Sequence, residues 1–162
     1  MLRITDVSRL VLRMPSELIR DAMPLSGKRL NIEGHSLVVG VPSPRTLRPS
    51  SSVRSRLVVI KGFLEAEPFL EACRRQLSAL GATGEVKIPL RSSAQSVEQK
   101  NGTRTQHIRR TLRIHDKTVV GYAVQVSGLS MDDSVRLQEA GLGGRRRFGC
   151  GVFVPFKEGA NG

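Results

Sequence analysis

Aromatic residues and cysteine are scarce in this sequence. Among 162 residues there is no tryptophan, one tyrosine and five phenylalanines. A single-strand nucleic-acid binder built on rows of stacked rings carries more than that. Two cysteines cannot make a disulfide framework or a four-ligand zinc site. Long apolar runs are missing as well, and stretches such as Leu57–Ile60 are far too short to span a bilayer. Arg3, Arg9 and Arg13 interrupt the N-terminal stretch, so it contains no signal-peptide core. Acidic residues are the last shortage: 14 Asp+Glu face 26 Lys+Arg, a net charge of +12. The hydrophobic fraction of 39% still supports a packed core. These features imply a soluble, cytoplasmic globular protein with a polyanionic partner, no membrane role and no cofactor.

The basic residues are grouped. No carboxylate interrupts the stretch from Glu33 to Glu65, which holds Arg45, Arg48, Arg54, Arg56 and Lys61. Lys100, Arg104, Arg109, Arg110 and Arg113 lie between Glu98 and Asp116, again without an acid, and Arg145, Arg146 and Arg147 are contiguous. A single charge run is usually a solvated face, but three acid-free runs in one short chain point to nucleic acid.

Residues 1–53 read as a partial first domain and linker. A strand is expected at Leu10–Leu12. Ser16 would cap a helix over Glu17–Met23 that Pro24 closes. Strands Arg29–Ile32 and Ser36–Val41 would join at Glu33-Gly34-His35. Pro42, Pro44, Pro49 and the serines after them form the linker. Residues 54–157 read as a complete domain, with 158–162 as a tail. It opens with a strand at Leu57–Ile60. Pro68 then starts a helix whose apolar face is Phe69, Leu70, Cys73, Leu77 and Leu80, with Gly81 as its stop. A strand at Val86–Leu90 and a polar insertion, Arg91–Thr105, follow. A hairpin of Ile108–Ile114 with Val119–Val126 comes next, then a helix capped by Ser130 and Asp133 that ends at Gly141. The last strand is Val152–Val154. This order is the α+β, ferredoxin-like (RRM-like) βαββαβ plan with an extra hairpin strand, preceded by a partial ferredoxin-like half-domain.

The most specific local feature is GLGGRRRFGCG, where Gly141, Gly143, Gly144, Gly149 and Gly151 surround Arg145–Arg147. A surface turn needs one or two glycines. Five around three arginines suggest exposed N–H groups and guanidinium forks that cradle phosphates. No Gly-Lys-Ser/Thr ends the loop, so it is not a Walker loop.

A domain that ends helix, basic Gly-rich loop, strand resembles the RAMP superfamily of CRISPR-associated proteins. Four stretches resemble its repeat-processing endoribonuclease family: RLVVIKGF (Arg56–Phe63), EPFLEACRRQLSALG (Glu67–Gly81), TVVGYAVQVSGLS (Thr118–Ser130) and SVRLQEAGLGGRRRFGCGVFVP (Ser134–Pro155). GKRLNIEGHSLVVGVP (Gly27–Pro42) is similar to the end of that family's first domain. The resemblance implies binding of a CRISPR repeat RNA hairpin and metal-independent cleavage at its base. It also implies retention of the product with other subunits of an effector complex. Family members place a catalytic His on an early helix of the first domain, a region the chain is expected to lack, so no catalytic His carries over by motif.

Two histidines are candidates for the chemistry. His107 sits among Arg104, Arg109 and Arg110, where bound phosphate would favour its charged form; it fits an acid–base role or a plain phosphate contact. His35 fits a catalytic remnant of the first domain or a simple hairpin position, and His115 beside Asp116 reads as structural. The expected RNA contacts are the five loop glycines with Arg145, Arg146 and Arg147, together with Arg104, Arg109, Arg110, Arg113, Arg54, Arg56 and Lys61. Cys73 and Cys150 have no partner for metal or nucleophilic work. Asp132 and Asp133 adjoin no second acidic cluster, so no metal site is expected. Two other readings fit the same residues: a non-catalytic RAMP-type subunit that holds the CRISPR RNA, and a ferredoxin-like RNA-binding protein of translation.

Overall fold

Phe69, Leu70, Cys73 and Leu77 return every three or four residues, and that spacing gives α2 one buried face. A computed structural model of the chain describes residues 9–32, 34–90, 107, 109–114 and 116–156. Arg104, Ile108, His115, the insertion 91–105 and the tail 158–162 lie outside them. The chain divides into two units, 1–46 and 47–162.

In the first unit the helix expected over 17–23 is broken into short turns. A 3-10 turn (Ser16–Leu18), α1 (Ile19–Ala22) and a second 3-10 turn (Met23–Leu25) follow one another. Pro15, not Ser16, holds the N-cap position, and the Ser16 hydroxyl donates to Glu17 instead. Pro24 sits at the start of the second 3-10 turn rather than ending a helix. The strand expected at Leu10–Leu12 does not form. These residues are exposed, with no ladder partner among the described residues, and an unpaired strand has nothing to satisfy its backbone. β1 (Arg29–Ile32) and β2 (His35–Val38) pair antiparallel, with Ile32 opposite His35. His35 is therefore a strand residue and not part of the turn.

The second unit begins at Leu47, before the expected position 54, because its lead-in is tied to a helix of this unit. The Ser134 hydroxyl accepts the Ser50 N–H, and the buried Gln138 amide donates to the Arg48 carbonyl. Its elements are β3 (Ser52–Val58), α2 (Ala66–Ala79), β4 (Glu85–Lys87), β5 (Arg109–Ile114), β6 (Lys117–Ser127), α3 (Met131–Ala140) and β7 (Val154–Pro155). The sheet order is β4-β6-β3-β7, antiparallel at every pair, which is the ferredoxin-like arrangement. The extra strand β5 pairs with 117–122 of β6 while β4 pairs with 125–127. Tyr122 faces Val58 on one side and Arg109 on the other, so β5 continues the edge that β4 begins. A single bridge, Leu90 with His107, brings the two ends of the insertion together.

Val53, Val58, Phe69, Val124, Leu137 and Phe153 are fully buried in the core between sheet and helices. Tyr122 belongs there too, as its strand position suggested: its ring meets Phe69 at 4.9 Å and its hydroxyl donates to the Leu64 carbonyl. Helix α3 carries the expected cap, with the Ser130 hydroxyl accepting the Asp133 N–H at 3.1 Å.

Candidate nucleic-acid interface

The glycine loop joins α3 to β7 and lies against the end of β3. A one-residue bulge there makes the docking possible. Ser55 pairs with Val124 but Val58 pairs with Tyr122, so β3 advances three residues while β6 advances two. The Leu57 carbonyl then accepts the Gly151 N–H at 2.7 Å and the Ser55 hydroxyl at 3.3 Å. Two residues on, the Val59 carbonyl accepts the Gly144 N–H at 2.8 Å. From the helix side, Gln76 of α2 accepts the Gly143 N–H at 2.7 Å. Leu142 closes the loop on itself by donating to the Gly151 carbonyl.

This geometry changes the reason for the glycines. Their N–H groups already have acceptors, those of Gly143, Gly144 and Gly151 as above, that of Gly141 at Leu137 and that of Gly149 at Arg146, so they do not form the phosphate cradle expected from sequence. Instead the glycines permit backbone contact. A Cβ at Gly143 would overlap the Val59 carbonyl oxygen, and one at Gly151 would overlap that of Leu142. Both also have positive φ. The backbone donors that remain belong to Arg145, Arg146 and Arg147, whose main-chain N–H groups meet no acceptor among the described residues. Arg145 is the one non-glycine with positive φ among the described residues (63°), a conformation costing roughly 1–2 kcal/mol. It opens the 3-10 turn Arg146–Phe148.

The three arginine side chains are exposed. One arginine of each helix is neutralised: Arg74 of α2 pairs with Glu71, and Arg136 of α3 pairs with Asp133 and donates to the Gly81 carbonyl. No carboxylate lies within ion-pair distance of Arg145, Arg146 or Arg147 among the described residues. Arg146 folds back toward the Gly141 carbonyl at 3.4 Å. Gly143, Gly144, the three arginines and Phe148 line an open depression of about 460 Å³. Concentrated, unpaired positive charge around a depression is suited to phosphate.

The other basic residues do not form one cluster. Register alternation puts Arg110, opposite Gly121, on the same sheet face as Arg54, opposite Gln125. Arg109 and Arg113 fall on the other face, so the arginines of β5 are split. The Arg54 guanidinium stacks over the Phe156 ring at 4.7 Å. Arg56 and Lys61 are exposed, at the bulge of β3 and in the turn after Ile60. His35 is exposed on β2 of the first unit. His107 stands at the neck of the insertion, with its Nδ1 buried and unpartnered among the described residues. Both cysteines are buried, and burial raises both thiol pKa values, that of Cys73 to about 12.

Sequence reasoning missed Gln76, Gln138, Phe148 and Phe156. Gln76 had a signal: it falls in the apolar stripe of α2, three residues after Cys73, where a polar side chain needs a partner.

Comparison with known proteins accords with this arrangement. The family model described as "Cas6 Crispr" matches residues 1–158. Over 144 residues the chain is 38% identical to "CRISPR-associated endonuclease Cas6" of Myxococcus xanthus (strain DK1622), a match covering 89% of this chain and 55% of that protein. The chain thus spans about half the length of that relative. No helix among the described residues is long and apolar enough to cross a membrane. With a ferredoxin-like sheet, a basic glycine loop between its last helix and last strand, and a match over nearly every residue, the chain belongs to the Cas6 family.

Proposed function

We propose that the chain binds the repeat hairpin of a CRISPR transcript in the cytoplasm and cuts it at the hairpin base. It then remains on the 3′ hairpin of the product, alongside other subunits of an effector complex. The observation that carries this reading is the loop 141–151, anchored to β3 and α2 while it holds out three arginines without carboxylate partners.

The cleavage needs little covalent chemistry from the protein. The ribose 2′ oxygen attacks the adjacent phosphorus, the P–O5′ bond breaks, and the products are a 2′,3′-cyclic phosphate and a 5′ hydroxyl. A base takes the 2′ proton and an acid supplies one to the departing 5′ oxygen. The nucleophile is part of the substrate, so alignment and charge neutralisation at phosphate are the main tasks. Arg145, Arg146 and Arg147 hold the backbone, Arg54, Arg56, Lys61, Arg104, Arg109, Arg110 and Arg113 extend the contact, and His35 and His107 are the candidates for proton transfer.

The test is incubation with a repeat RNA in EDTA. A single cut ending in a cyclic phosphate is expected. Tight hairpin binding with intact RNA at every pH would make the chain a non-catalytic RNA-holding subunit. Equal affinity for unrelated structured RNAs would overturn the CRISPR reading altogether.

A further inference from the structure

Phe148 stands apart from every other aromatic ring described. Phe69 and Tyr122 pack on each other in the core, Phe153 is fully buried, and Phe63 and Phe156 lie under Arg75 and Arg54. Phe148 has no ring or cation partner among the described residues, and 48% of it is exposed. It does not dangle: its N–H donates to the Arg145 carbonyl at 3.0 Å, and the next residue, Gly149, turns the chain with φ 77°. The structure thus presents a bare ring from an ordered turn on the wall of the arginine-lined depression.

The rest of that wall narrows the ligand. Its side chains are donors and the ring; among the described residues no Asp, Glu, Asn, Gln, Ser or Thr lines it. Arg146 is engaged with the Gly141 carbonyl, which leaves the Arg145 and Arg147 forks open. An aromatic face takes any base, but paired donors prefer an edge with two acceptors. The double ring of a purine gives the widest stacking face, and of the two purines guanine sets two acceptors, O6 and N7, side by side, while adenine places an amino group beside N7. The volume, about 460 Å³, lies in the range of single-ligand sites.

From these observations we infer that the depression is a subsite for one unpaired guanosine nucleotide of the bound RNA. Its base stacks on Phe148, its O6/N7 edge meets one of the Arg145 and Arg147 forks, and its phosphate meets the other. This deepens the RNA-binding reading above and rests on it for the identity of the RNA.

Two measurements test the inference separately from that reading. In the first, a blunt repeat hairpin is compared with hairpins carrying one overhanging guanosine, adenosine, uridine or cytidine at either end. Guanosine at one end should tighten binding about tenfold; Phe148→Ala should remove that increment and Phe148→Tyr keep it. Equal increments for all four bases, or an increment that survives Phe148→Ala, would overturn the assignment. In the second, guanosine 5′-monophosphate and cytidine 5′-monophosphate are titrated while the Phe148 ring resonances are followed. Ring-current shifts with the guanosine nucleotide alone support the subsite even if the hairpin is not bound, and no shift with either refutes it. Failure of the blunt hairpin to bind better than scrambled RNA counts against the CRISPR reading instead.

Discussion

Gln76 accepts the Gly143 N–H at 2.7 Å across 67 positions of sequence, so helix α2 fixes one end of the basic loop that follows helix α3. Gln76→Ala leaves that N–H without its partner, at about 1 kcal/mol for a half-buried group. The variant should unfold at lower urea concentration and bind repeat RNA more weakly. Unchanged stability together with unchanged affinity would mean that the tether does not position the loop.

The glycines of the loop should differ in their tolerance of a methyl group. Gly149 has positive φ but nothing within 4 Å of an added Cβ, so Gly149→Ala should cost about 1–2 kcal/mol for the backbone conformation alone. Gly151→Ala meets the same conformational cost and also overlaps the Leu142 carbonyl oxygen. Its urea midpoint should fall well below that of Gly149→Ala, and equal midpoints would contradict the close approach.

Replacing Arg145, Arg146 and Arg147 by Ala removes charges that have no carboxylate partner among the described residues. Stability should change little, because no ion pair is broken. RNA affinity should fall, and the slope of log K against log salt should become shallower by about 2–3 if each arginine neutralises one phosphate. An unaltered slope would move the phosphate contacts elsewhere.

Burial pushes the Cys73 thiol from its ordinary 9.0 up to about 12, against the weaker opposing effect of the Arg74 charge. The folded state keeps a proton that the unfolded chain releases above pH 9. Stability linked to Cys73 is therefore complete below pH 9 and is lost as pH rises toward 12. Urea midpoints of Cys73→Ala should decline less steeply than those of the parent over that window. Thiol reagents at pH 8 should label Cys73 only as fast as the protein opens.

For proton transfer, His35→Ala and His107→Ala are compared in single-turnover cleavage. Loss of a general acid or base should lower the rate by about 10²–10⁴-fold in one of them. Full activity in both would assign the proton transfers to other residues.

Much of the second unit was legible in the sequence. The i, i+3, i+4 spacing of Phe69, Cys73 and Leu77, the Ser130 cap and the alternation after Arg109 are local signals, and each produced its expected element. Leu10–Leu12 shows where such signals stop: three apolar residues have strand propensity, yet a strand exists only where another backbone completes its hydrogen bonds. Likewise, the three arginines of β5 are neighbours in sequence but are divided between two faces by the pleat.

The sequence by itself determined the charge, the ferredoxin-like order of elements and the location of the basic glycine loop, because composition and periodicity act over a few residues. Only the tertiary structure decided what the loop does with its groups. The bulge in β3 turns the Leu57 carbonyl toward Gly151, Gln76 reaches Gly143 from another helix, and the N–H groups of these glycines have acceptors as a result. The arginines and Phe148 are left facing solvent. Those partners lie dozens of residues apart, and their meeting follows from how sheet and helices pack rather than from any local preference.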